Sequence, residues 1–201
     1  MSVPDSERWN GNIHYHGVLV DAVAGAKSML DVGCGEGMLA RRLRASGAEV
    51  TGIDLDENGI ELAKEQSPDG EISYLQGDFL TYPFEPESFD GIVSVATLHH
   101  MDEAAALARM RNLLRPGGTV AVVGLARDTL PAAVPWAIAA IAARTWYRFS
   151  RTEWGHPSPI VWPPPRTYGQ VRRVAGNVLP GSRFRRHAMW RYSIVWTKPS
   201  V

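Results

Sequence analysis

Met29-Leu30-Asp31-Val32-Gly33-Cys34-Gly35-Glu36-Gly37-Met38-Leu39 is the stretch from which the rest of the chain is read. Met29, Leu30 and Val32 form a short apolar strand, alternate glycines make a tight turn, and Leu39-Ala40-Arg41-Arg42-Leu43 continues as a helix. Strand, glycine turn and helix open a nucleotide-binding α/β unit. Glycine permits positive φ angles and lets a ligand lie against bare backbone. The helix start adds free N–H groups that face the same space.

The spacing narrows the ligand. A dinucleotide loop is written G-x-G-x-x-G, whereas Gly33, Gly35 and Gly37 follow G-x-G-x-G with Asp31 ahead of them. A carboxylate beside the loop repels a pyrophosphate and suits a ligand end that carries an ammonium. LDVGCGEG resembles the first motif of the class I methyltransferases that use S-adenosylmethionine. From the loop alone, NAD(P)-dependent or flavin enzymes remain the alternative.

Downstream, Ala48-Glu49-Val50-Thr51-Gly52-Ile53-Asp54 reads as a second strand, with Asp54 at the end where open parallel sheets place ligands. A carboxylate there can accept both hydroxyls of a ribose, and Leu55 can lie against an adenine. Asp56 reads as the cap of a helix over 58–66. A third strand over 72–79 ends in Asp78 and Phe79. The resemblance implies that Asp78 accepts the adenine amino group with Phe79 beside the ring; the alternative for Asp78 is a turn cap.

Phe89-Asp90-Gly91-Ile92-Val93-Ser94-Val95 is a fourth strand, and FDGIVSVATLHHM resembles the family's fourth motif, which implies cofactor contact at Ser94 and Ala96. Asp90 stands at the far end of that strand and reads as structural. His99 and His100 follow, and imidazole changes charge near neutral pH. His99, nearer the pocket by spacing, can orient or deprotonate an acceptor hydroxyl; alternatively the pair caps the next helix. Asp102 is the better cap for the helix over 102–114. LLRPGGTVAVVG then sets a sharp reversal and a fifth, continuously apolar strand, again in the wording of the family.

The resemblance covers about residues 12–126. With a helix over 168–178 and strands over 182–189 and 191–197, the expected fold is α/β. It is a doubly wound, mostly parallel, Rossmann-like seven-stranded sheet with an antiparallel C-terminal edge hairpin. Arg183, Arg185 and Arg191 alternate with apolar neighbours, as on a strand with one wet face. The implied cofactor is S-adenosylmethionine, held by Asp31, Gly33, Cys34, Gly35, Gly37, Asp54, Leu55, Asp78, Phe79, Ser94 and Ala96. The catalytic candidates are His99 and His14.

His14 lies in Trp9-Asn10-Gly11-Asn12-Ile13-His14-Tyr15-His16, an aromatic segment that the resemblance folds over the cofactor; otherwise it anchors the leading helix. Residues 1–8 are polar and read as loose. Residues 128–165 are rich in aromatics and prolines and read as a cap over the acceptor, implying a hydrophobic or aromatic small molecule. A homodimer contact is the competing reading. The apolar run over 130–143 is too short to span a bilayer, so no stable membrane insertion is expected.

At 201 residues the chain fits a single domain over 1–201. Its 21 Lys and Arg balance 21 Asp and Glu, which gives no general attraction to nucleic acid. All acidic residues lie at or before Glu153, however, and the tail carries scattered arginines. That tail either faces an acidic partner or is solvated surface; nothing in it reads as a nucleic-acid motif. Cys34 stands alone, so there is no internal disulfide. No histidine pair has a carboxylate at ligand spacing, and no metal is expected. Lacking a basic, apolar leader, the chain reads as cytoplasmic. A non-catalytic cofactor-binding protein is the remaining alternative.

Overall fold

The computed structural model describes residues 4–68, 70–128, 145, 154 and 162–200. Seven strands are β1 (Ser28–Val32), β2 (Glu49–Asp54), β3 (Ile72–Gln76), β4 (Phe89–Val95), β5 (Leu114–Leu125), β6 (Arg183–Arg186) and β7 (Arg191–Thr197). They form one sheet in the order β3-β2-β1-β4-β5-β7-β6. The first five run parallel, and β7 is antiparallel to both β5 and β6. This is the expected doubly wound sheet with an antiparallel C-terminal edge.

Among the described residues the α-helices are α1 (His16–Ala22), α2 (Met38–Arg44), α3 (Glu57–Glu65), α4 (Glu103–Leu113) and α5 (Tyr168–Val178). Successive strand side chains point to opposite faces, so the continuous apolar strands feed two cores. Leu30, Ile92 and Val122 pack with Leu107 and Met110 of α4 and Val171 of α5. Met29, Val93 and Ala121 pack with Leu19 of α1, Leu43 of α2 and Ile60 of α3. Helices on both faces leave the C-terminal strand ends as the place for a ligand.

The helix starts follow their caps. Asp56 accepts the Gly59 N–H at 3.1 Å and Asp102 that of Ala105 at 2.8 Å. Thr167 and Gln170 exchange bonds in a capping box ahead of α5. Asp90 is structural, accepting from the Lys27 and Ser28 amides and from Arg115.

Four expectations are corrected. The strand assignment of β5 begins at Leu114, and Arg115-Pro116-Gly117-Gly118 is a bulge inside it: β4 advances from Phe89 to Gly91 while β5 advances from Leu114 to Thr119. The third strand stops at Gln76, because the Gly77 N–H turns to the Asp54 carbonyl at 2.9 Å. Strand β6 ends at Arg186, before a turn in which Met189 and Trp190 both have positive φ. Residues 5–8 are not loose: Arg8 pairs with Glu36 at 2.9 Å and Asp5 with Arg41 at 2.8 Å.

The basic tail finds acids within the fold, with Arg166 on Glu103 at 3.1 Å and Lys198 on Glu87 at 2.9 Å. Apart from Asp128, Thr145, Trp154 and residues 162–165, the expected cap lies outside the described residues.

Candidate cofactor and acceptor site

The donor half is built where β1 and β2 end. Gly33, Gly35 and Gly37 have φ of 73°, 51° and 79°. A side chain at Gly33 would also collide with Thr97, so this position needs glycine twice over. The amides of Gly33 and Cys34 donate to the Ile53 carbonyl at 2.8 and 3.2 Å. Gly35 donates to Asp54 Oδ2 at 2.8 Å, and Asp56 to Asp54 Oδ1 at 3.0 Å. The loop is thereby set before any ligand arrives.

Asp31 is wholly buried, and the Ala40 amide near the start of α2 reaches its carboxyl only at a geometry looser than an ordinary hydrogen bond. Burial, and next the charge of Asp54, push it up to about 8. A buried acid with so little donor support is costly to ionise, and an ammonium placed against it offsets that cost. That buried acid beside a bare glycine loop fits the methionyl end of S-adenosylmethionine.

The other donor candidates divide by exposure. Leu55 is 65% exposed just beyond β2, open for an adenine face. Asp78 Oδ1 accepts the Leu80 N–H at 2.8 Å, so its turn-cap role is filled by one oxygen. Phe79 is buried in the core, with the Arg109 guanidinium 5.6 Å from its ring centroid. Cys34 is a buried free thiol, and Ser94 donates to the Val32 carbonyl at 2.9 Å, both shaping the floor. Ala96, at φ 53°, donates its amide to the Val123 carbonyl at 2.8 Å.

The acceptor half lies beyond β4. His99 sits in a single 3-10 turn, Leu98–His100, and among the described residues its buried Nδ1 has no partner. Burial, then the charges of His100 and Arg191, push it down to about 4. Asp102 caps α4, so the imidazoles are not needed there. His14 is exposed, edge-on to Trp9 and Tyr15 at 6.3 and 4.7 Å. Tyr15 donates its hydroxyl to the Ala188 carbonyl at 3.0 Å, and Trp154 its amide to the Trp9 carbonyl at 2.8 Å. The aromatic N-terminal segment therefore joins the β6–β7 turn to Trp154.

Three residues here were not legible in sequence. Arg8 and Glu36 form a buried pair across the glycine loop. Arg191, expected on a wet strand face, instead turns its Nε and Nη2 to Asn12 Oδ1 at 3.1 and 2.6 Å. No local signal marks it, since Asn12 lies 179 residues away.

Comparison with known proteins bears on the family. The Methyltransferase domain family matches residues 30–122. An uncharacterised methyltransferase of Mycobacterium tuberculosis is 36% identical over 194 residues, covering 95% of this chain and 98% of the relative. The chain belongs to the class I S-adenosylmethionine-dependent methyltransferases. The NAD(P) alternative is set aside by that membership. The methyltransferase is also 35% identical over 111 residues to an O-methyltransferase of Penicillium expansum, covering 52% of this chain and 40% of that one. The solved structure of human N-acetylserotonin methyltransferase in complex with SAM has a TM-score of 0.63 at 18% identity, covering 93% of this chain. This methyltransferase spans 52% of that chain, about half. Among the described residues, no helix is long and apolar enough to cross a membrane, and no metal-holding cluster of His, Cys, Asp and Glu is present.

Proposed function

We propose that the methyltransferase acts on a hydrophobic or aromatic small molecule, with His99 directed at an acceptor hydroxyl. The observation that carries this reading is the buried Nδ1 of His99, partnerless among the described residues, just beyond the strand next to Asp31. An imidazole held well below its ordinary range is neutral at pH 7 and accepts a proton or a hydrogen bond.

S-adenosylmethionine supplies an electrophilic methyl group on a cationic sulfur. Asp31 would hold the ammonium, the glycine backbone would carry the methionyl chain, and Asp54 would accept the ribose hydroxyls. Leu55 and Asp78 border the adenine. His99 would orient the acceptor hydroxyl, accept its proton and release that proton to solvent. The aromatic side chains Tyr15, Tyr168, Trp154 and Trp162 support an apolar acceptor, and the O-methyltransferase relative from Penicillium expansum supports oxygen as the methylated atom.

The test is formation of S-adenosylhomocysteine on a panel of phenols and hydroxylated aromatics. H99N should lower kcat by about a hundredfold while leaving calorimetric affinity for S-adenosylhomocysteine unchanged. An unchanged kcat would remove His99 from proton transfer. Failure of the wild type to bind S-adenosylhomocysteine would remove the donor site.

A further inference from the structure

We infer that Arg191 is an anion-recognition position in the acceptor site, and that the methyl acceptor carries a carboxylate. The inference rests on the methyltransferase reading above and names the class of its substrate.

The placement comes from the sheet. Arg191 opens β7 opposite Leu125, at the C-terminal end of β5. Asp31, Asp54 and Asp78 belong to β1, β2 and the end of β3, on the other side of β4 in the strand order. Arg191 therefore stands on the acceptor half. Its charge is felt by His99, and Tyr15 and Tyr168 face it.

The guanidinium is held but not neutralised. Nε and Nη2 donate to Asn12 Oδ1, and Nη1 donates to the Met189 carbonyl at 2.7 Å. All of these acceptors are uncharged. Among the described residues no carboxylate forms an ion pair with Arg191, whereas Arg8, Arg41 and Arg186 each meet one. A guanidinium has five N–H donors, so further donors remain for a ligand. Burial draws Arg191 down to about 10, which still leaves it cationic at neutral pH. A desolvated cation with only neutral partners is an unfavourable arrangement that an anionic ligand relieves.

The charge nearby selects a monoanion. His99 and His187 are both pushed down by burial, and Arg186 is committed to Asp128 at 2.6 Å. A single buried guanidinium suits a carboxylate better than a phosphate dianion. The planar fork of the guanidinium also matches a carboxylate in shape.

The experiment is calorimetry on protein saturated with S-adenosylhomocysteine. The probes are three acid–amide pairs (benzoate and benzamide, 4-hydroxybenzoate and 4-hydroxybenzamide, indole-3-acetate and indole-3-acetamide), with phenyl phosphate alongside. We expect at least one carboxylate to bind more than about tenfold tighter than its amide, and R191Q to abolish that preference without altering S-adenosylhomocysteine affinity. R191K, which keeps the charge, should retain part of it. No acid preferred over its amide in the wild type would overturn the inference, and that comparison needs no variant to fold. Tighter binding of phenyl phosphate than of any carboxylate would overturn it too. A tenfold loss of S-adenosylhomocysteine affinity in R191Q would instead assign the guanidinium to the donor's own carboxylate, against the inference. Wild-type protein that binds no S-adenosylhomocysteine would overturn the methyltransferase reading itself, a result separable from all of these.

Discussion

Gly35 donates its backbone N–H to the carboxylate of Asp54 at 2.8 Å, so the glycine loop after β1 is tied to the end of β2 by an ionised side chain. The second oxygen accepts the Asp56 amide at 3.0 Å. A carboxylate has about four lone-pair sites, which leaves capacity for a ribose diol on the same group. Asp54 thus shapes the loop and keeps acceptor capacity for the proposed ribose contact.

Asp54→Ala should weaken S-adenosylhomocysteine binding by about tenfold or more, since it removes charged hydrogen bonds to the ribose and frees the loop. The fold should survive with a loss of about 1–2 kcal/mol. Calorimetry and urea unfolding on the same protein separate the effects. Unchanged affinity would sink the ribose assignment.

Asp31 makes stability depend on pH in an unusual direction for an acid. Its folded-state value, about 8, lies above the ordinary 3.8, so the folded protein holds a proton that the unfolded chain has released. That contribution is complete below the lower value and is lost as pH rises through the higher one. The ligand-free protein should therefore lose Tm as pH rises from 5 towards 8 in steps that Asp31→Asn removes. The same variant should bind S-adenosylhomocysteine more weakly, because the ammonium loses its counter-charge. A pH slope that persists in Asp31→Asn would show that another group carries it.

Arg8 and Glu36 meet with side chains 4% and 5% exposed, so neither charge is well solvated alone. Arg8→Ala leaves Glu36 with only the Gln66 amide at 3.3 Å and should cost about 3 kcal/mol. Adding Glu36→Gln should recover a large part of that loss. Denaturant midpoints for the single and double variants measure both. An unshifted midpoint for Arg8→Ala would mean that the pair is energetically neutral.

Most of the candidate donor site rests on residue order. Asp31 and the glycines declare themselves because positive φ and a buried acid before a turn leave few alternatives. Asp54 and Asp78 follow from lying at the ends of apolar runs, and Asp56 and Asp102 from the spacing of helix caps. Phe79 was harder. It falls after β3 has ended, where the two-residue alternation no longer says which way a ring faces, and it packs into the core.

Arg8, Glu36 and Arg191 were hidden for a different reason. Each is a charged residue that local pattern places on a solvated face. What buries Arg191 is Asn12, at the other end of the chain, and what buries Glu36 is a segment that read as loose.

The order of strands, glycine turn, caps and reversal was specified along the chain itself, because φ preferences, hydrophobic period and capping act within a few residues. Which charges end up dry was settled only by folding. Desolvation depends on everything packed around a group, and for Asp31, His99 and Arg191 those neighbours arrive from distant strands and from the N-terminal segment. The candidate donor loop is therefore largely a property of local sequence, and the surroundings of His99 and Arg191 a property of the assembled sheet edge.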